Sequence, residues 1–247
     1  MNGMVANPIK GVRRVIDAAT ALRNVLRDPD DTKQFFRFIE ALGSRAPAGF
    51  TQRFTLSRSG ARLLAERPEI LRSLQDRAWL ATLPEKSLGR AYLAFMQRDG
   101  LTPEFLVEAS NVTGQAQSTS EEADYVGRRM RDTHDLWHVV TGYGGDLLGE
   151  AAVLTFTFAQ TTNFGIGVFA GIAALMADEP DARRLLLDAF ARGLRAAWLP
   201  GVEWEKLLAE DLDSVRLQLR VGPPVTYEPF HARDLPPGGL LAKPVAA

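Results

Sequence analysis

From Ala151 to Ala177 the chain carries no charged side chain, and this uncharged run restricts the possible folds more than any other part of the sequence. It exceeds the roughly 20 apolar residues that cross a bilayer, so a membrane span has to be weighed first. Gln160, Thr161, Thr162 and Asn163 interrupt it near the middle, and Gly165, Gly167 and Gly171 lower its helix propensity. Two buried helices separated by a bend explain the run more economically, with Gly167 and Gly171 permitting close helix contact. A core surface left partly open to lipid is the intermediate reading.

The rest of the pattern is helical as well. Val12, Val15, Ile16, Ala19, Leu22 and Leu26 recur at helical spacing, and Asp31 precedes a second short helix that Gly43 ends. Pro68 breaks a helical stretch that begins at Ser57, and a further unit runs to Gly100. Thr102 and Pro103 open a short helix reaching Ala109. Asn111 to Glu122 is polar and reads as a flexible excursion or lid, after which Ser120, Glu121 and Glu122 start a helix expected to carry Tyr125, Arg129, Arg131 and the following histidines. Asp178, Glu179 and Pro180 open another that Pro200 and Gly201 stop, and a last helix is expected from about Glu203 to Leu219. From about residue 221 the proline- and glycine-rich tail is expected to lie extended over the surface. With little strand signal, no repeat and no linker, residues 1–247 read as one all-α domain.

Composition removes several function classes. Basic and acidic residues number 29 and 30, so no global field attracts nucleic acid. The absence of cysteine excludes disulfides, thiol catalysis and thiolate metal sites within the chain. No secretory signal is expected at the N-terminus, where arginines recur as in a transit or membrane-surface helix but Asp17, Asp28, Asp30 and Asp31 favour a soluble amphipathic one. Neither a nucleophile elbow nor a phosphate-binding loop is present: Gly142 to Gly145 lacks the strand context and the lysine.

What remains is the segment Arg131 to Glu150, RDTHDLWHVVTGYGGDLLGE, which holds two of only three histidines. On a helix His134 and His138 lie one turn apart on one face with Asp135 beside the first. The Thr141–Gly145 turn then lets the chain reverse before Asp146 opens a second helix, returning Glu150 to the histidines. Two imidazoles with one or two carboxylates can hold a zinc, iron or manganese ion and leave a coordination position open. The structural alternative has His134 and Asp135 pairing at a helix end while His138 packs against Trp137 or Tyr143. The spacing His-Asp-Leu-Trp-His lacks the glutamate base of zincins, and one histidine-bearing helix does not make a ferritin-like di-iron site, so a single-ion centre is favoured.

Arg129 and Arg131 precede the ligands and can bind a substrate carboxylate or neutralise Asp135 and Glu150; their alternative is a structural ion pair. Gln160 comes round to about 80° from Glu150 if one helix joins them, and either reaches the same pocket or satisfies backbone groups at the bend. His231, among Tyr227, Pro229 and Phe230, reads as a local packing or hydrogen-bonding residue, with remote ligation as the alternative.

His134, Asp135, His138 and Glu150, with Tyr125, Arg129, Arg131, Gly149 and Gln160 around them, resemble the family of the fourth Coq protein of ubiquinone (coenzyme Q) biosynthesis, marked by His-Asp-x-x-His and a glutamate after eleven intervening residues. The resemblance implies a mainly helical, often dimeric protein in peripheral contact with a membrane that holds prenylated quinone precursors. That is the cytoplasmic side of the inner membrane in a bacterium and the matrix side of the mitochondrial inner membrane in a eukaryote. It implies one divalent metal, zinc, held at His134, Asp135, His138 and Glu150, and work alongside other quinone biosynthesis enzymes. The reaction implied is oxidative decarboxylation with hydroxylation at ring carbon one of the prenylated precursor, with Arg129, Arg131 and Gln160 as expected substrate contacts. A lipid-binding scaffold with a structural metal is the first alternative. A soluble metal-dependent hydrolase is the second.

Overall fold

The uncharged run folds as two helices. Leu147–Thr161 ends at Thr162, which turns left-handed, and Asn163 caps Phe164–Met176 by accepting the Ile166 N–H at 3.2 Å. Among the described residues no helix is long and apolar enough to cross a membrane. The computed structural model describes residues 8–42, 48–111 and 120–242, and these form one mainly helical domain without a β-strand. The helices are α1 (Pro8–Arg27), α2 (Thr32–Ala41), α3 (Ala48–Leu56), α4 (Arg58–Glu66), α5 (Ile70–Gln75), α6 (Arg77–Thr82) and α7 (Leu88–Arg98), then α8 (Pro103–Asn111), α9 (Glu121–Asp132), α10 (His134–Thr141), α11 (Leu147–Thr161), α12 (Phe164–Met176), α13 (Pro180–Arg195) and α14 (Leu212–Leu219). Apart from its end residues Asn111 and Ser120, the segment 111–120 expected to be flexible lies outside the described residues, as does Gly43.

At the centre α11 lies along α13 and against α12, while α10 contacts α7, α11 and α14. Because α11 is enclosed by both neighbours it is apolar almost all round, which is why it has no charged face. Its threonines stay inside by bonding back to their own helix: Thr155, Thr157 and Thr161 donate to the carbonyls of Ala151, Val153 and Thr157 at 2.7–2.8 Å. Trp137 of α10 meets Phe156 of α11 edge to face at 6.1 Å in the main core, with Tyr92, Leu136, Val140 and Trp204 around them. Each such side chain contributes roughly 1.5–3 kcal/mol by leaving water.

Three expected boundaries differ. The helix through Tyr125 and the histidines is divided at Thr133, whose hydroxyl donates to the Arg129 carbonyl at 2.9 Å, so the histidines begin a helix of their own. α13 ends at Arg195, ahead of Pro200, and Ala196 is extended. The helix expected from Glu203 starts only at Leu212. The chain before it is held by backbone bonds to the start of α7, with the Leu88 and Gly89 N–H groups donating to Glu210 and Leu208 and the Leu212 N–H donating to Lys86. Asp211 then caps α14 at the Ser214 N–H.

The end of α10 is fixed from two sides. Arg216 donates to the carbonyls of Val139 and Val140 at 3.1 Å each, and Arg192 to that of Thr141 at 3.0 Å. Two cations thereby occupy the negative end of the helix and satisfy carbonyls that its backbone leaves free.

Candidate metal centre

Leu136, Trp137 and Val140 of α10 are almost wholly buried, and this sets the rotation of the helix. His134 and His138 then share a face, their rings 4.8 Å apart. Gly142 ends the helix at φ +81°, a conformation that L side chains resist, and its N–H closes the last turn on the His138 carbonyl at 2.8 Å. Asp146 starts α11 by accepting the Leu148 and Gly149 N–H groups at 3.1 Å each. Glu150 follows one turn in, against both histidines.

His138 Nε2 lies 3.0 Å from Glu150 Oε2 and its Nδ1 3.2 Å from the Tyr143 carbonyl. His134 Nε2 lies 3.4 Å from Glu150 Oε1, and its Nδ1 3.4 Å from Asp135 Oδ1. All four ring nitrogens thus face carbonyl or carboxylate oxygens, which only accept. A neutral imidazole has a single N–H, so each ring would leave one lone pair against an acceptor. Either a proton or a metal cation resolves this conflict.

The electrostatics express the same requirement through protons. Burial opposes a charged His134, but Glu150 and Asp135 outweigh it and raise the imidazole to about 10. Burial likewise opposes the Glu150 carboxylate, but His134 and His138 hold it well below the usual carboxylate range. His134, His138 and Glu150 each offer a ligand atom within 4.8 Å of the others, a donor set that fits a divalent ion. Tyr143 orients His138 from behind, as second-layer groups at metal sites do. Side-chain exposure is 2% for His138, 20% for His134 and 41% for Glu150, so the centre opens toward solvent on the His134–Glu150 side.

The structure places the other expected site residues differently. Asp135 is buried next to His134 and stands outside the three-residue group, behind the imidazole it contacts. Arg129 is buried in a forked pair with Glu205 at 2.7 and 2.8 Å and donates to the Val202 carbonyl at 2.9 Å. Arg131 engages Asp132 at 2.8 Å and the Ser110 hydroxyl at 3.0 Å. Gln160 donates to the Gly193 carbonyl and accepts the Leu199 N–H at 2.9 Å, tying α11 to α13 and the segment after it. One continuous helix does join Gln160 to Glu150, but ten residues of rise separate them by about 15 Å, and that distance outweighs the favourable rotation. His231 lies at a 3-10 turn, its N–H donating to Asp234, apart from the histidine pair.

Two contributors have no local sequence signal. Phe95 of α7 stacks on His138 at 5.4 Å and 24°, and Tyr143 acts through its backbone carbonyl, which no side-chain pattern announces. Buried Tyr92 is raised by burial and then by Asp135, and keeps its phenol proton near that carboxylate.

Fold and site together define a helical protein with a two-histidine, one-glutamate candidate metal centre. The sequence model described as coenzyme Q (ubiquinone) biosynthesis protein Coq4 matches residues 6–225, and the chain belongs to that family. It is 33% identical over 169 residues to the ubiquinone biosynthesis protein coq4, mitochondrial, of Aspergillus flavus, covering 67% of this chain and 57% of that protein. The Neurospora crassa protein coq-4, mitochondrial, is 30% identical over 179 residues, 71% of this chain and 50% of its own length. The chain thus spans less than two thirds of these curated relatives. A crystal structure from Nostoc punctiforme, of a protein provisionally assigned to ubiquinone biosynthesis, superposes with a TM-score of 0.60 at 22% identity over 89% of this chain and all of its own. That likeness shows the fold.

Proposed function

We propose that this protein acts in ubiquinone biosynthesis and that His134, His138 and Glu150, backed by Asp135, hold one divalent ion, zinc, for oxidative decarboxylation and hydroxylation at ring carbon one of a prenylated precursor. The observation that carries this reading is the set of four imidazole nitrogens facing only acceptor oxygens, an arrangement completed by a cation. Membership of the family, and the biosynthesis for which its relatives are named, support the pathway.

Zinc bound there would supply Lewis-acid charge that holds a phenol oxygen of the ring and favours its phenolate. The protein's own part is positioning. Tyr143 and Asp135 hold the imidazoles, and the exposed Glu150 side leaves room for the ring. The exposed apolar face of α12, with Phe164 and Leu175, accepts the isoprenoid tail. When the carboxyl group departs as carbon dioxide, the electron pair of its bond stays on the ring carbon. One atom of dioxygen becomes the new hydroxyl oxygen, and the other leaves as water with two electrons from an external donor. Arg129 and Arg131 are engaged elsewhere and are not assigned the substrate carboxylate. A homodimer in peripheral contact with the membrane belongs to this reading, on the matrix side of the mitochondrial inner membrane, where the curated relatives are called mitochondrial, or on the cytoplasmic side in a bacterium.

The test supplies zinc-loaded protein with prenylated hydroxybenzoate, a reductant and oxygen-18 dioxygen. Labelled hydroxylated product with loss of carbon dioxide is expected, and Glu150→Ala should abolish it. No product from the loaded protein, together with unchanged pathway flux in a Glu150→Ala strain, would end the catalytic reading.

A scaffold role is the second reading, favoured by α12, whose residues are wholly apolar and whose Phe164 and Leu175 are 65% and 82% exposed. It expects copurifying prenyl lipid, and product only when partner enzymes are present.

A further inference from the structure

The turn between α10 and α11 determines how Glu150 meets His138, and the C-terminal segment holds it. The Tyr227 hydroxyl accepts the Gly144 N–H at 2.8 Å and donates to Asp146 Oδ2 at 2.6 Å. Its two partners lie on opposite limbs of the turn. Gly144 follows Tyr143, whose carbonyl orients His138, and Asp146 caps the helix whose first turn presents Glu150. Asp146 Oδ1 also accepts the Phe230 N–H at 3.1 Å, and the Phe230 carbonyl accepts the Leu147 N–H at 2.7 Å. Four donors therefore converge on one buried carboxylate, two of them from residues 227–230.

The glycines of this turn make room for the contact. A Cβ at Gly149 would collide with the Tyr227 hydroxyl and the Gly144 carbonyl, and one at Gly144 would stand 2.7 Å from Asp146 Oδ2 and 3.0 Å from that hydroxyl. Burial and the Asp146 hydrogen bond both raise the Tyr227 phenol, which therefore keeps its proton as a donor.

We infer that Tyr227 is a positioning residue for the centre: its single hydroxyl, bridging Gly144 and Asp146, sets the His138–Glu150 geometry on which ion binding depends. The inference rests on the metal-site reading above. The tail is accordingly part of the site's framework, and its loss would open the turn while leaving all three ligands in the chain.

Tyr227→Phe deletes the bridging oxygen and keeps the ring, which packs against the main core. Titration of the full-length variant with cobalt(II) and zinc should show affinity about tenfold weaker than wild type, the range for groups that orient metal ligands, with an altered cobalt d–d spectrum. Ser57→Ala, which removes the cap of α4 far from the turn, serves as the stability control and should leave affinity and spectrum unchanged. Equal affinity and an identical spectrum in Tyr227→Phe would overturn the inference.

A metal-free readout separates this from failure of the metal reading. The Gly149 N–H, held by Asp146 Oδ1 at the start of the helix that presents Glu150, should exchange about tenfold faster in Tyr227→Phe, as the turn opens locally. If the wild-type protein takes up neither ion, the metal reading falls, and this signal alone decides: faster exchange supports the role of Tyr227, and equal exchange removes it.

Discussion

Two kinds of buried polar cluster occur in the molecule and are built on opposite principles. Around Arg129 a guanidinium meets the Glu205 carboxylate and the Val202 carbonyl, and around Gln160 an amide gives one bond and takes another. Apart from the Arg129 Nε–H, which meets no acceptor, donors there face acceptors, and the groups complete one another. Around His138 and His134, imidazole nitrogens face only acceptors, and a cation, either a proton or a metal ion, completes them. Polarity and burial are common to both clusters. Complementarity is what separates a strut from a binding site.

The largest effect should come from breaking a strut. Arg129→Ala leaves Glu205 without its forked partner and should cost about 3 kcal/mol in denaturant unfolding, with zinc affinity unchanged. Glu205→Ala added to it should restore part of the loss. If zinc affinity fell in proportion to stability, the two clusters would not be separate.

Glu150→Ala tests the other side. Zinc affinity should fall by about 100-fold, at or beyond the upper end for groups that only orient ligands. Metal-free stability at pH 7 should change by no more than about 1 kcal/mol, since the Glu150 side chain is 41% exposed and its pairing is screened. A calorimetric titration would show both the lost affinity and the lost heat.

Gln160→Ala should cost about 2 kcal/mol, because the Gly193 carbonyl and the Leu199 N–H lose their buried partner. Any selective loss of turnover beyond that destabilisation would return Gln160 to the site.

The smallest effect is in pH. His134 is raised in the folded protein from 6.5 to about 10, so its contribution is full below about 6.5 and is lost as pH rises through about 10. Glu150 is depressed from 4.5, so its contribution is present above about 4.5 and is lost as pH falls through its folded value. The metal-free melting temperature should therefore decline between pH 7 and 10 more in wild type than in His134→Gln. Zinc should flatten that decline by displacing the proton, and metal binding at pH 7 should release about one proton, measurable in buffers of different ionisation enthalpy.

The ligand half of this contrast is legible in the sequence, because there the physics is local. The spacing of His134 and His138, a stop within Thr141–Gly145, the Asp146 start and a polar break at Gln160–Asn163 each follow from helix geometry and capping; α10 ends at Thr141, α11 begins at Leu147 and α12 at Phe164, while Gln160 and Thr161 stay inside α11. The Arg129 partner was hidden because Glu205 lies far along the chain, in a stretch whose helical periodicity suggested a helix that the contacts with α7 prevent. Tail residues 227–230 read as surface chain because nothing near them in sequence reveals that Asp146 receives their donors.

Zinc-edge X-ray absorption on the purified full-length protein tests the central claim most directly. One equivalent of zinc with two imidazole nitrogens and a carboxylate oxygen at about 2.0–2.2 Å is the expected result, with the imidazole signal reduced in His138→Ala. A protein that retains no zinc after loading, or a spectrum that His138→Ala and Glu150→Ala leave unchanged, would contradict the claim.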